Sequence, residues 1–234
     1  MISDNSLVFA PKYGSPPKKP RDYVSFQGWA RGFLRYHGQP KSHLVIIDNH
    51  RKPSGMRKQV LDAIAAAPDL TGCAPPVVAF FCHGYRTRIQ LGFNRRQVNV
   101  LARALFKKYG PNVRVVLYAC SAGNGPGHSG DRGFADELRD ALCRAGATGC
   151  QVDAHVTAGR ADANPFLRRF AGDGSCTGGT GGFYLVNRTI LDERGRKKIN
   201  PLWPKWIAVL KKKGGDMRWR FPFMSRDEIL DYLT

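Results

Sequence analysis

A chain of 234 residues, 42% of them hydrophobic, is long enough to bury one large core and too apolar to remain disordered. It holds no run near the roughly 18–20 apolar residues of a membrane helix, and the opening MISDNSLVFAPKYGSPPKKP lacks a basic-then-apolar export layout, so a cytosolic protein without a membrane partner is expected. Lys+Arg 37 against Asp+Glu 18 leave a net charge of +19, which favours acidic partners such as nucleic acid or an acidic protein.

In chain order, residues 1–42 are rich in Pro, Lys and Gly, and GSPPKKPRDY cannot be helical, so this part reads as an extended basic arm or linker. Within it, SFQGWARGFLRYHG (25–38) has the pattern of a short amphipathic helix. HLVIIDNH (43–50) is the first strand expected. Ser54 is placed to cap a helix through GMRKQVLDAIAAA, with Pro68 just beyond its end. The apolar stretch 77–82 is a second strand, RIQLG (88–92) a short hairpin arm, and 94–110 a helix with apolar residues at 98, 101, 105 and 106. NVRVVLYAC (112–120) is a third strand, 130–147 a helix, and CQVDAHVTAG (150–159) a fourth strand.

Strands that alternate with helices predict a mostly parallel α/β sheet with helices on both faces. The near-continuous apolar runs VVAFF and VRVVLY suit strands covered on both sides. NPFLRRF (164–170) is at best a short helix, AGDGSCTGGTGG (171–182) a glycine-rich loop, and FYLV (183–186) a strand. WIAVL and MRWRF offer further strands, and Ser225 caps a final helix RDEILDYL. The organisation expected is an arm over 1–42, an α/β core over 43–186, and a basic extension over 187–234 that packs on the core.

That extension concentrates charge: eleven Lys or Arg between Arg188 and Arg220 stand against Asp192, Glu193 and Asp216, with Trp203, Trp206 and Trp219 among them. Such interleaving suits phosphate contact with base stacking, or a solvated face whose tryptophans turn inward. The six cysteines (Cys73, Cys82, Cys120, Cys143, Cys150 and Cys176) show no C-x-x-C spacing, and free thiols are the expectation in a cytosolic chain. His37, His43, His50 and His128 are scattered without ligand spacing, so no metal or other cofactor is expected.

In open parallel sheets, reacting groups collect at the carboxyl ends of the strands. His83 closes VVAFFCHG and Cys120 closes VRVVLYACSAG, so both fall at that edge. A cysteine nucleophile needs its thiolate, a proton donor for the leaving group, and donors for the oxyanion. Cys120 supplies the first and His83 the second, while the backbone amides of Gly84 and Cys120 are placed for the third. Ser121, Ala122 and Gly123 are small and let the chain turn sharply after Cys120.

A hydrophobic strand ending in His-Gly, followed 37 positions later by one ending in Ala-Cys, resembles the caspase-like (clan CD) cysteine peptidases. The hairpin-like RIQLG, the helix after it, and GCQVDAHVTAG are similar to that fold as well, so the likeness covers about residues 43–160. It implies a cysteine endopeptidase acting on a protein or peptide, with Cys120 as nucleophile, His83 as general acid, and no obligatory third side chain. In the resembling families the loop after the first core strand often helps build the specificity pocket. Here that loop is IIDNH, so Asp48 is placed to face a Lys or Arg side chain, with Asn49 and His50 beside it. Asp48 is equally placed to cap the turn that follows. Asp153 and Thr157 are further candidates for the pocket wall. The glycine-rich loops 123–131 and 171–182 offer places for self-cleavage or a gate.

Two other readings use the same residues. ACSAG (119–123) has the shape of a nucleophile elbow centred on Ser121, but the only later histidines, His128 and His155, come early for a serine triad. Alternatively the domain has lost catalysis and binds nucleic acid or an acidic protein through its basic surface.

Overall fold

The computed structural model describes residues 3–13, 22–69, 74–126, 130–156, 167–173, 176–177, 189–191, 197–199 and 204. The strand expected at 183–186, the final helix, the tryptophans of the basic extension and Thr157 lie outside the described residues. None of the helices among the described residues is long and apolar enough to cross a membrane.

The chain forms an α/β sheet built in the order β1 (Leu7–Pro11), α1 (Asp22–Tyr36), β2 (Leu44–Ile47), α2 (Pro53–Ala66) and β3 (Val77–Phe81). Three two-residue strands follow, β4 (Gly84–Tyr85), β5 (Arg88–Ile89) and β6 (Phe93–Asn94), which pair as a small antiparallel sheet. Then come α3 (Val98–Tyr109), β7 (Arg114–Tyr118), α4 (Phe134–Ala145), β8 (Gln151–His155), β9 (Leu167–Ala171) and β10 (Cys176–Thr177). The main sheet runs β10-β9-β8-β7-β3-β1-β2; β2, β1, β3, β7 and β8 are mutually parallel, and β9 and β10 are antiparallel additions. A separate pair, β11 (Thr189–Leu191) and β12 (Lys197–Ile199), lies in the basic extension.

The path explains the layers. From β1 the chain steps outward to β2, then reverses and proceeds through β3, β7 and β8. Right-handed crossovers in opposite directions place their helices on opposite faces. Accordingly Phe26, Ala30, Phe33 and Leu34 of α1 pack on Val8, Ala10, Val77, Ala79, Phe81, Val116 and Tyr118. The alternate strand residues (Phe9, Val78, Phe80, Val115, Leu117) pack against α2, α3 and α4. The reversal falls between β1 and β3, where an open α/β sheet leaves a crevice at its carboxyl edge.

Three expectations change. Residues 7–11, read with the arm, are the wholly buried strand β1, inserted between β2 and β3. Ser6 anchors it, its hydroxyl accepting from the Val77 amide at 3.0 Å. Where a short helix was expected over 164–170 and a loop from 171, residues 167–171 form β9 instead, because β8 leaves an open edge whose backbone groups β9 pairs. Ser54 is not a cap: α2 starts two residues earlier than expected, with Pro53 in its first turn and Lys52 as N-cap, and a proline there forfeits no helix bond.

Candidate active site

The β3–β7 register pairs Phe81 with Tyr118. The ladder goes on with the Cys82 amide donating to the Tyr118 carbonyl at 3.4 Å. His83 and Cys120 each stand two residues beyond the Phe81–Tyr118 pair, so both lie at the carboxyl edge of adjacent central strands. Beneath them, Phe81 and Tyr118 stack at 4.3 Å, and Phe33 of α1 meets both edge-on at 5.9 and 5.8 Å. The His83 ring rests edge-on against Phe26 at 4.9 Å. Full burial of each phenyl ring contributes about 1.5–3 kcal/mol, so this aromatic layer is a firm floor under the strand ends.

Gly84 is pressed against the Cys120 segment. A Cβ at Gly84 would lie 2.6 Å from the Ala119 Cβ and 2.7 Å from the Cys120 carbonyl oxygen, so only glycine permits this approach. His83 is held by its backbone as well: its amide donates to the Gln90 side-chain oxygen at 3.2 Å, and its carbonyl accepts from the Gln90 amide at 2.8 Å.

After Cys120 the chain turns through Ser121, which adopts φ 57°, a left-handed conformation rare for a side-chain-bearing residue. The Gly123 amide then donates to the His155 carbonyl at 2.9 Å, tying the turn to the end of β8. Arg168 of β9 donates to the Gly123 carbonyl at 3.2 Å. The first amides of α4 complete the frame: Phe134 donates to the Arg86 carbonyl at 2.7 Å, and Ala135 to the Ala122 carbonyl at 3.1 Å. One helix end therefore grips the hairpin that follows His83 and the turn that follows Cys120.

The structure thus brings together His83, Gly84 and Cys120. It leaves Asp48 and Asn49 at the end of edge strand β2, with β1 and β3 between them and β7, roughly 14 Å across the sheet. Asp48 is engaged in its own turn, accepting from the His50 amide at 3.3 Å and pairing with Arg51 at 3.5 Å. Asn49 exchanges two hydrogen bonds with the Tyr13 backbone, each 2.8 Å, and His50 stacks on the Tyr13 ring. Asp153 is fully buried in β8 opposite Val116, below the strand ends, and accepts from Arg169 at 3.0 Å. His155 is buried one step past the Leu117–Ala154 pair, level with Tyr118 rather than with Ser121.

Gln90, Arg86 and Arg168 escape a reading by motif. Each acts through a backbone carbonyl or amide, which leaves no pattern in sequence. The thiols differ by environment: burial pushes Cys82 up to about 12, which makes it an inert neighbour, whereas Cys120 is only half-buried. Among the described residues, no three His, Cys, Asp or Glu side chains gather as a metal site, and Cys82, Cys120, Cys143 and Cys150 are free thiols. No protein-family model matches the chain, and no curated protein matches it.

Proposed function

We propose that this protein is a cysteine endopeptidase of the caspase-like type, with Cys120 as nucleophile and His83 as general acid. The observation that supports this reading is that β3 and β7 are adjacent and parallel as far as Phe81–Tyr118, with His83 and Cys120 each two residues beyond that pair and Gly84 packed against the Cys120 carbonyl. The Cys120 thiolate attacks the scissile carbonyl carbon, and the carbonyl oxygen becomes an oxyanion facing the Gly84 and Cys120 amides. Collapse expels the amine, which takes a proton from His83, and leaves an acyl-thioester on Cys120. Water then attacks the thioester; the acid is released and the thiol restored. The chemistry consumes one water and requires no cofactor. In this reading the protein acts in the cytosol, and its glycine-rich loops are substrates for self-processing.

Intact-protein mass spectrometry after incubation with peptide acyloxymethyl ketones bearing Arg, Lys, Asp, Asn or Leu at the leading position tests this. Adduct on Cys120, lost in Cys120→Ala and much reduced in His83→Ala, is the expected result. A folded protein with an accessible Cys120 that takes no probe overturns it. The net charge of +19 favours a second reading, an inactive domain that binds nucleic acid. That reading requires steeply salt-dependent binding to an oligonucleotide, unaffected by Cys120→Ala.

A further inference from the structure

A cavity of about 300 Å³ opens between the start of α2 and the β4–β6 hairpin, a size that suits a small ligand. Its apolar lining includes Met56, Ile89 and Phe93, all buried. Arg57 and Arg88 line it as well. The Arg57 guanidinium donates to the carbonyl of Gly92, another lining residue, at 2.8 Å. The Arg88 guanidinium lies 4.6 Å over the ring of Tyr85, which is exposed at the mouth. Neither arginine makes an ion pair among the described residues, and no Asp or Glu lines the cavity. The walls are fixed before any ligand arrives. Gly92 has φ 89°, and a Cβ there would collide with the Pro53 carbonyl, so the hairpin is seated on the first turn of α2. A ligand entering a preformed site has little of the protein to order.

Two cationic groups, an apolar lining and no carboxylate of the protein's own suit a ligand with an anionic head and an apolar body. Guanidinium groups match phosphate oxygens with paired N–H donors. A phosphate monoester carries about −1.5 to −2 at pH 7, close to the opposite of two arginines, whereas a carboxylate carries a single charge. Lys52, Arg86 and Arg96 are exposed, neighbour lining residues in the chain, and add to the positive field that draws a dianion in. We propose that the Arg57–Arg88 cavity binds a small phosphate monoester, its phosphate on the two guanidiniums and its apolar body against Met56, Ile89 and Phe93. His83 adjoins the cavity, but its ring packs on Phe26, in the core cluster under α1, while Met56, Ile89 and Phe93 belong to the cluster on the other face of the sheet. The site is therefore distinct from the catalytic pair and does not rest on the peptidase reading.

The test is isothermal titration calorimetry of the full chain with phenyl phosphate, inorganic phosphate, benzoate and phenol. Phenyl phosphate is expected to bind saturably, one per chain. It should bind about tenfold more tightly than inorganic phosphate, which lacks the apolar body, and than benzoate, which lacks the second charge. Phenol, without a charge, should bind more weakly still. Arg57→Met and Arg88→Met are each expected to weaken phenyl phosphate about tenfold, the worth of one charge-assisted pair. Arg88 is exposed, so its replacement leaves the core intact. Arg103→Met removes the same charge from the exposed face of α3 and is expected to leave the affinity unchanged. Benzoate bound as tightly as phenyl phosphate overturns the proposal. So does the absence of saturable binding, or a loss in Arg103→Met equal to that in Arg88→Met, which would assign the phosphate to the diffuse field of the +19 chain. Labelling of Cys120 by a ketone probe is measured separately, so failure of either reading leaves the other standing.

Discussion

Gly84→Ala tests whether the site is built by backbone contact. The added methyl would sit 2.6 Å from the Ala119 Cβ, 2.7 Å from the Ala119 carbonyl carbon and 2.7 Å from the Cys120 carbonyl oxygen. Carbon atoms in good contact stand about 3.5–4.0 Å apart, so the ends of β3 and β7 must separate by roughly 1 Å. None of these atoms is the tip of a flexible side chain, and the floor of Phe81, Tyr118 and Phe33 resists movement. Overpacking of this kind costs about 1–3 kcal/mol of stability. A 1 Å misplacement of reacting groups costs about a hundredfold in rate. Urea denaturation measures the first, and the second-order rate of Cys120 modification by a ketone probe measures the second. Gly28→Ala, in α1 with no atom within 4 Å of the new methyl, is the control and is expected to be neutral or stabilising. Wild-type stability together with a wild-type labelling rate in Gly84→Ala refutes the argument that this contact sets the site's geometry.

Three further outcomes are expected. Burial holds His37 down at about 4 against an ordinary 6.5, so the unfolded chain takes up the proton first and stability falls as pH drops from 6.5 towards 4. Allowing for partial exposure, the loss between pH 7 and pH 4.5 is about 1–2 kcal/mol in urea titrations, and His37→Gln, unable to titrate, should reduce it. Burial pushes Cys82 and Cys150 up to about 12. At pH 8 about one such thiol in 10⁴ is ionised, so native protein should take iodoacetamide at neither, and brisk native labelling of Cys82 contradicts its place in the core. Arg139 donates to Asp136 at 2.7 Å, Asp140 at 2.7 Å and the Ala171 carbonyl at 3.1 Å. Arg139→Met removes the guanidinium from the buried Asp136 carboxylate, which keeps only the Arg132 amide at 2.8 Å, and should cost about 3 kcal/mol by denaturation, with Asp136→Asn in the same chain restoring part of it.

Much of the fold was legible because the central strands are apolar on both faces. VVAFF and VRVVLY have no other place to go than the middle of a covered sheet, and the helices between them carry one apolar stripe each. Strand β1 was not legible. Its five residues are as apolar as those of β3, but prolines and lysines follow closely and mask them, and only pairing with Leu44–Ile47 and Leu7–Phe9 against Val78–Phe80 identifies it as a strand. β9 was hidden for a different reason. LRRFA does not alternate, because Arg169 turns to the buried Asp153 and Arg168 to the Gly123 carbonyl. Both arginines have tertiary partners, and no local pattern announces such partners.

The same distinction separates the two parts of the site. His83 and Cys120 stand out in sequence because a polar or nucleophilic residue at the end of an apolar strand breaks a pattern. What fixes them relative to one another breaks none. It is the close approach of Gly84 to Cys120, the Gly123 amide on the His155 carbonyl, and two amides of α4 on the carbonyls of Arg86 and Ala122. A helix N-terminus often leaves its first amides for a ligand. In this chain two of them are spent on the loops that follow His83 and Cys120. The helix dipole therefore stabilises the loops directly, and the side chains at 134 and 135 are released to pack in the core, where both are fully buried. The expected consequence is that side-chain substitutions in α4 change stability, whereas glycine substitutions at 84 and 123 change the alignment of His83 with Cys120.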